Sequence, residues 1–296
     1  MSKKQKKVIG HPFYDRHTIL GAIVITLIAF LLYQVVFAGI IGLAGRLIAA
    51  LNSMENTEQV GMLFSEIGAI AGGFILLLLF KRRFYPEYSG AFKPSLRVPA
   101  WTFCGLAVLA ALIATSLVVD GTDSMGFPSI VNILAAFMAG ICEEVVFRGT
   151  CASYLMRQWR EKGPLPAIIF SSVLFALVHS FNLIMGAPLV MTFVQVVNAF
   201  SIGCLLCVLF LRSGSLLPPI IMHVINDIVA FTNVSAVNEG GSYSGSATIS
   251  TAELIYTSVF SVIYIVITLY LTRPAVRDEI RTLWDKKWNN EKTEEG

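Results

Sequence analysis

Long apolar segments separated by short polar connections make up most of this chain. A helix needs about 20 predominantly apolar residues to cross a bilayer, and eight segments come close to that length. Their approximate bounds are 18–50, 59–80, 99–119, 129–156, 165–181, 188–211, 215–232 and 253–272. The pattern predicts an all-α fold, a polytopic membrane helical bundle of about eight transmembrane helices that forms a single domain over residues 1–296.

Composition and charge support this prediction and add an orientation. The 296 residues are 55% hydrophobic and only 14% charged, whereas soluble proteins are about 25% charged. Alternate connections carry no Lys or Arg, while the other connections and both ends of the chain are rich in them. The connections without Lys or Arg are 51–58, 120–128, 182–187 and 233–252. The positive-inside rule therefore predicts a multi-pass protein of the cell membrane with both termini cytoplasmic.

The segment 273–296 differs from the spans because it mixes apolar and charged residues. Val276, Ile280, Leu283 and Trp284 fall on one helical face, with basic residues elsewhere. We predict a cytoplasmic amphipathic tail that lies on the membrane surface; a solvated polar tail is the alternative. Nothing in the chain points to a nucleic-acid partner.

Two adjacent acids, Glu143 and Glu144, lie well inside the apolar segment 129–156. Ionisable side chains at bilayer depth are costly and usually have a function. Arg148 follows Glu144 by four residues, the favoured order for an ion pair within a helix. Glu143 has Phe147 at the corresponding position and so has no cation on its own helix. This pattern predicts a paired Glu144 and a free Glu143 that is suited to general-base chemistry.

Two histidines also fall inside apolar segments. His179 ends one span, and His223 begins a turn in which Asp227, four residues later, can orient its ring. At a rise of about 1.5 Å per residue, Glu143, His179 and His223 lie roughly 15–25 Å from the cytoplasmic ends of their spans. Three helices therefore bring acids and imidazoles to one level, which predicts an active site in the core of the bundle.

These motifs resemble a known family, the CPBP intramembrane proteases, also called the Abi or CAAX protease family, which includes the Rce1-type CAAX prenyl endopeptidases. That family has the pattern E-E-x-x-x-R, then F-x-x-x-H, then H-x-x-x-N or H-x-x-x-D. Here the motifs read Glu143-Glu144-Val-Val-Phe-Arg148, Phe175-Ala-Leu-Val-His179 and His223-Val-Ile-Asn-Asp227, in that order. The resemblance defines a catalytic core at about 129–232.

The resemblance also implies roles for these residues. Glu143 and His179 would activate a water molecule for attack on a peptide carbonyl. His223 and Asp227 would stabilise the developing oxyanion. The family often has Asn at the position of Asp227, and an ionised Asp cannot donate a hydrogen bond. Either Asp227 holds His223 as a donating imidazolium, or Asn226 contributes.

The resemblance implies that Glu144 and Arg148 are structural or auxiliary. It allows two mechanisms, one with a metal and one without. Family members have been described both as metalloproteases and as metal-free glutamate-dependent proteases. The zincin signature H-E-x-x-H is absent here. We predict a metal-free enzyme without a cofactor; if zinc is used, its ligands would be Glu143, His179 and His223.

Three functions compete at this point. The first is an intramembrane endopeptidase that admits a membrane-bound or lipidated peptide from the cytoplasmic half of the bilayer. The second is a proton-coupled membrane transporter, which also needs acids and histidines at the midplane. The third is a non-catalytic immunity or regulatory protein. The resemblance favours the endopeptidase and suggests bacteriocin or pheromone maturation, self-immunity, or cleavage of membrane proteins. The oligomeric state is left open.

Overall fold

The computed structural model describes residues 16–80, 127–231 and 249–294. Within these ranges the chain forms helices and no strand, which confirms the predicted all-α membrane bundle. In chain order the helices are α1 (Thr18–Leu51), α2 (Thr57–Phe80), α3 (Ile130–Gln158), α4 (Pro164–Val178), α5 (Phe181–Ile184), α6 (Leu189–Ser213), α7 (Leu217–Ala230), α8 (Thr251–Leu271) and α9 (Pro274–Glu294).

Six segments of the described chain are long and apolar enough to cross a membrane. They are α1, α2, α3, α6, α8 and the unit Pro164–Ile184, in which α4 continues into α5. The seventh predicted span forms α7, whose 14 residues fall short of the 20 or so that a perpendicular crossing needs. The predicted span 99–119 lies outside the described residues. The membrane bundle is confirmed, and the count of eight stays a prediction.

Local sequence accounts for several helix ends. Helices α4 and α7 have proline in their first turn, where the missing N–H costs nothing. At the start of α8, Ser250 and Glu253 form a capping box, which satisfies two backbone N–H groups that would otherwise be unpaired. Helix α6 ends at Gly214 with φ +63°, a conformation that glycine adopts without strain.

Helices α3 and α6 form the centre of the bundle. Helix α3 packs against α1, α2, α4 and α7, while α6 packs against α4, α7 and α8. All eight residues of Val145–Ala152 on α3 are buried. The outer helices instead expose large apolar side chains, among them Ile40 on α1 and Val262 on α8. An apolar exterior around a partly polar interior is the arrangement that a bilayer favours.

Helix α9 is amphipathic as the sequence predicts, but protein covers its apolar face. Val276, Ile280 and Trp284 are buried against the bundle, and the indole Nε1 of Trp284 donates a 2.8 Å hydrogen bond to the carbonyl oxygen of Leu211. The segment therefore packs on α6 and α4 with the face that was expected to rest on the membrane. Its cytoplasmic location stays a prediction.

Candidate active site

The two glutamates lie in the part of α3 where the helix is wound more widely. Ala139–Glu143 and Val145–Ala152 are π-helical, a form in which backbone bonds join residues five apart and which is often found at functional sites. Being adjacent, the two side chains point in different directions. Glu144 is completely buried, whereas the side chain of Glu143 is 15% exposed. The structure thus shows the predicted difference between a buried Glu144 and a partly exposed Glu143.

Glu144 and Arg148 form the predicted ion pair, and both side chains are fully buried. Nη1 of Arg148 is 2.9 Å from Oε1 of Glu144, and Nη2 donates a 3.0 Å hydrogen bond to the carbonyl oxygen of Gly203 on α6. The guanidinium carbon lies 4.4 Å from the centre of the Phe175 ring on α4, within the range of a cation–π contact. Arg148 therefore joins three helices at one point.

The same oxygen of Glu144 also holds His223. Nδ1 of His223 lies 2.8 Å from Oε1 of Glu144, and a carboxylate only accepts, so Nδ1 carries the proton. Nε2 is 3.5 Å from Oδ2 of Asp227 and 3.9 Å from Oε2 of Glu143, both longer than an ordinary hydrogen bond. The ring is oriented by Glu144, whereas the sequence spacing predicted Asp227 for that task.

His179 is held by its own helix. Its Nδ1 lies 2.9 Å from the carbonyl oxygen of Phe175, which requires Nδ1–H to be the donor and leaves the lone pair of Nε2 available. The ring of Phe175 contacts the rings of both histidines edge-on, with centroids 5.0 Å from His179 and 5.7 Å from His223. Phe175, a member of the second motif, thus contacts both imidazoles and the guanidinium of Arg148.

A cavity of about 240 Å³ brings the predicted groups together. The predicted site residues that line it are Glu143, His179, His223, Asn226 and Asp227. Glu144 and Arg148 are not among its lining residues and lie behind it. Asn226 donates a 3.2 Å hydrogen bond to Oδ1 of Asp227. From the level of Glu143 the cavity extends past the end of α4 to Asn182 on α5 and along the first half of α6.

Three further polar residues line this cavity and were not predicted: Asn182, Gln195 and Asn198. The available signal was the pair Gln195 and Asn198, two amides three residues apart in an otherwise apolar stretch. In a membrane segment, uncharged amides are a weaker indication of a functional site than acids, and Asn182 lies in the predicted connection 182–187.

One family model matches the central part of the chain. Its description is type II CAAX prenyl endopeptidase Rce1-like, and it matches residues 125–229. This stretch is similar to the Rce1-like family. The match contains every predicted site residue and confirms the resemblance drawn from the three motifs. No curated protein and no solved structure matches the chain significantly. An Rce1-like core supports a CAAX-type membrane protease over a transporter or a regulatory protein.

The geometry also tests whether an Rce1-like site of this shape would fit a metal ion. The candidate zinc ligands were Glu143, His179 and His223. Zinc ligands lie about 2.0–2.2 Å from the metal, so they must converge. In the part of the chain that the structure describes, no three His, Cys, Asp or Glu side chains are grouped in that way. The need for a metal stays a prediction.

Proposed function

We propose that the chain is an intramembrane endopeptidase that hydrolyses a peptide bond in a membrane-associated or lipidated substrate. One observation carries the proposal: a partly exposed glutamate and two histidines, each held through its Nδ1, share one cavity in the core of the bundle. The Rce1-like match over the same residues supports the reaction class. Maturation of a peptide, self-immunity and cleavage of other membrane proteins all fit this chemistry.

In this mechanism Glu143 is the general base. Its Oε2 is buried and has no hydrogen-bond partner among the described residues, so it can accept a proton from a water molecule. Nε2 of His179 orients the same water. The water oxygen bonds to the peptide carbonyl carbon, the proton passes to Glu143, and Glu143 returns it to the leaving nitrogen as the C–N bond breaks.

His223 is proposed to stabilise the oxyanion. As an imidazolium it donates from Nδ1 to Glu144 and keeps Nε2–H for the carbonyl oxygen as negative charge develops there. The carboxylates of Glu143 and Asp227 flank Nε2 and compensate the charge of the ring. A preorganised donor of this kind typically contributes a factor of about 10²–10³ in rate. This version needs no metal or other cofactor.

The test compares the membrane peptides of cells that carry the wild-type chain, Glu143→Gln or Glu58→Gln. Glu58 is the matched control because its side chain is 70% exposed and pairs with Arg46 at the surface. We expect an uncut peptide to accumulate only with Glu143→Gln, and the purified wild-type protein to cut that peptide in the presence of a chelator. Identical peptide profiles for all three would contradict the protease; loss of cleavage with chelator, restored by Zn²⁺, would contradict only the metal-free version.

A further inference from the structure

The cavity has a second polar wall, beyond the acids and imidazoles. It consists of the amide side chains of Asn182 on α5 and of Gln195 and Asn198 on α6. The mechanism above assigns these groups no task. Two amides on an apolar helix at this depth are unfavourable unless they are hydrogen-bonded, so their partners indicate what they are for.

The side-chain oxygens of Gln195 and Asn198 each accept a hydrogen bond from a neighbouring residue. Nδ2 of Asn182 donates a 2.7 Å hydrogen bond to Oε1 of Gln195, and the hydroxyl of Ser261 on α8 donates a 3.3 Å hydrogen bond to Oδ1 of Asn198. The oxygens of Gln195 and Asn198 are therefore engaged, while their NH₂ groups and Oδ1 of Asn182 have no partner among the described residues. The cavity wall thus offers fixed donors beside an acceptor.

The charge and geometry of this wall define its ligand. It is neutral, so it does not select an ion, and it offers N–H donors together with a carbonyl acceptor. A peptide main chain has the complementary groups, but only where it is not helical, because a helix satisfies its own backbone. A substrate segment unwound into an extended strand would bring unpaired N–H and C=O groups into the cavity and would need such partners.

We propose that Gln195 and Asn198 are positioning residues that bind the main chain of the substrate next to the scissile bond and hold it extended. The inference rests on the proposed function and deepens it: the site selects a peptide by its unwound backbone. Asn182 and Ser261 support the two amides by fixing their orientation. Recognition of this kind tolerates different side chains while it requires free backbone groups.

The test is a double-mutant cycle between the enzyme and the substrate backbone. The probe is the peptide that accumulates with Glu143→Gln, synthesised with a fluorophore and a quencher and placed in liposomes. Esters replace single backbone amides on either side of the cleaved bond. Each ester carbonyl is a weaker acceptor for the NH₂ groups of Gln195 and Asn198, and each replacement also removes one N–H. The enzymes are wild type, Gln195→Leu, Asn198→Leu and the control Gln34→Leu, the same change at a span residue outside the cavity.

We expect one ester to lower kcat/KM of the wild type and of Gln34→Leu by roughly three- to tenfold, the range of one hydrogen bond. The same ester should have little further effect in Gln195→Leu or Asn198→Leu, and these variants should raise KM more than they lower kcat. Additive effects in a folded variant would overturn the inference and leave the protease intact. Failure of wild type to cut any probe would instead overturn the proposed function.

Discussion

At the scale of single residues, one carboxylate oxygen links structure to chemistry. Oε1 of Glu144 accepts from both Arg148 and His223, at 2.9 and 2.8 Å. The sequence predicted the ion pair from its i, i+4 spacing and gave it a structural role. The contact with His223 spans 79 positions along the chain, and no local spacing could have predicted it. The carboxylate of Glu144 therefore has two roles: its contact with Arg148 supports the fold, and its contact with His223 orients a candidate catalytic ring.

We predict that Arg148→Ala destabilises the protein as well as inactivating it. Removing one partner of a fully buried ion pair costs on the order of 3–5 kcal/mol, and here the carbonyl of Gly203 would lose its donor too. Arg46→Ala is the control, because that arginine pairs with Glu58 at the surface, where such a pair contributes about 0–1 kcal/mol. Thermal unfolding in detergent measures both. Equal stability of the two variants would show that the buried pair has no structural role.

A second residue prediction concerns Asp227. Asp227→Asn should retain cleavage within about tenfold of the wild type, because an amide can still flank Nε2 of His223 and can itself donate a hydrogen bond. Asp227→Leu should lose a factor of about 10²–10³. The ratio of kcat values on one verified substrate checks this. If the Asn variant is as inactive as the Leu variant, the negative charge at this position is essential.

At the scale of helices, close packing between α3 and α7 brings the glutamates to His223. A Cβ on Gly140 of α3 would meet the side chain of Val224, and it would also lie 3.1 Å from the Val224 nitrogen and 3.2 Å from the Ile220 carbonyl oxygen. Two of these three atoms belong to the backbone, which cannot avoid the contact by changing rotamer as a side chain can. The absence of a side chain at Gly140 therefore sets how near α7 can approach.

We predict that Gly140→Ala lowers kcat by about 10²-fold, because displacements of about 1 Å in a catalytic arrangement have effects of this size. No chemical group is lost, so the cause would be the spacing between helices. Gly39→Ala is the control, since a Cβ there would meet only the Gln34 carbonyl oxygen at 3.5 Å. Wild-type activity in folded Gly140→Ala would mean that α7 can shift without moving His223.

What the sequence could predict at this scale depended on how strong each local signal was. Periodic apolar stretches predicted α1, α2, α3, α6 and α8 to within a few residues, because length and hydrophobicity alone define a span. They also predicted a helix at α7 but overestimated its length. The π-helical turns around Glu143 had no sequence signal. Trp284 was predicted on an apolar face, but its partner Leu211 lies 73 positions away and could not be predicted from local spacing.

At the scale of the whole molecule, the cavity extends toward one of the two membrane sides that the Lys and Arg distribution defines. Its far part lies where α4 ends and α6 begins, beside the connection 182–187, which has no Lys or Arg. With the orientation that the charges predict, this side faces away from the cytoplasm. The access predicted from the sequence was from the cytoplasmic half. Access for the substrate is therefore a separate question from the identity of the site.

We predict that a cysteine at Ala230, on the exposed cavity-lining end of α7, reacts with a membrane-impermeant maleimide on intact cells. Thr282→Cys, on the exposed face of α9, should react only after permeabilisation. The background needs Cys104→Ser, while the other native thiols are buried: Cys142, Cys151, Cys204 and Cys207. The reverse labelling pattern would invert the orientation; labelling of both sites only after permeabilisation would support cytoplasmic access.

The carbonyl of Gly203, which receives a hydrogen bond from Arg148, also bears on how this protein tolerates mutation. Any residue could supply that carbonyl, yet a Cβ here would lie 3.0 Å from Cδ1 of Phe175, 3.3 Å from Cβ of Ser172 and 3.4 Å from Nη2 of Arg148. In a library of random variants the position would tolerate few alternatives, although no side chain there can take part in chemistry. Such a library would find Gly203 about as intolerant of substitution as Glu143. Intolerance to substitution would therefore identify the residues that support the site as well as the residues that carry out the chemistry.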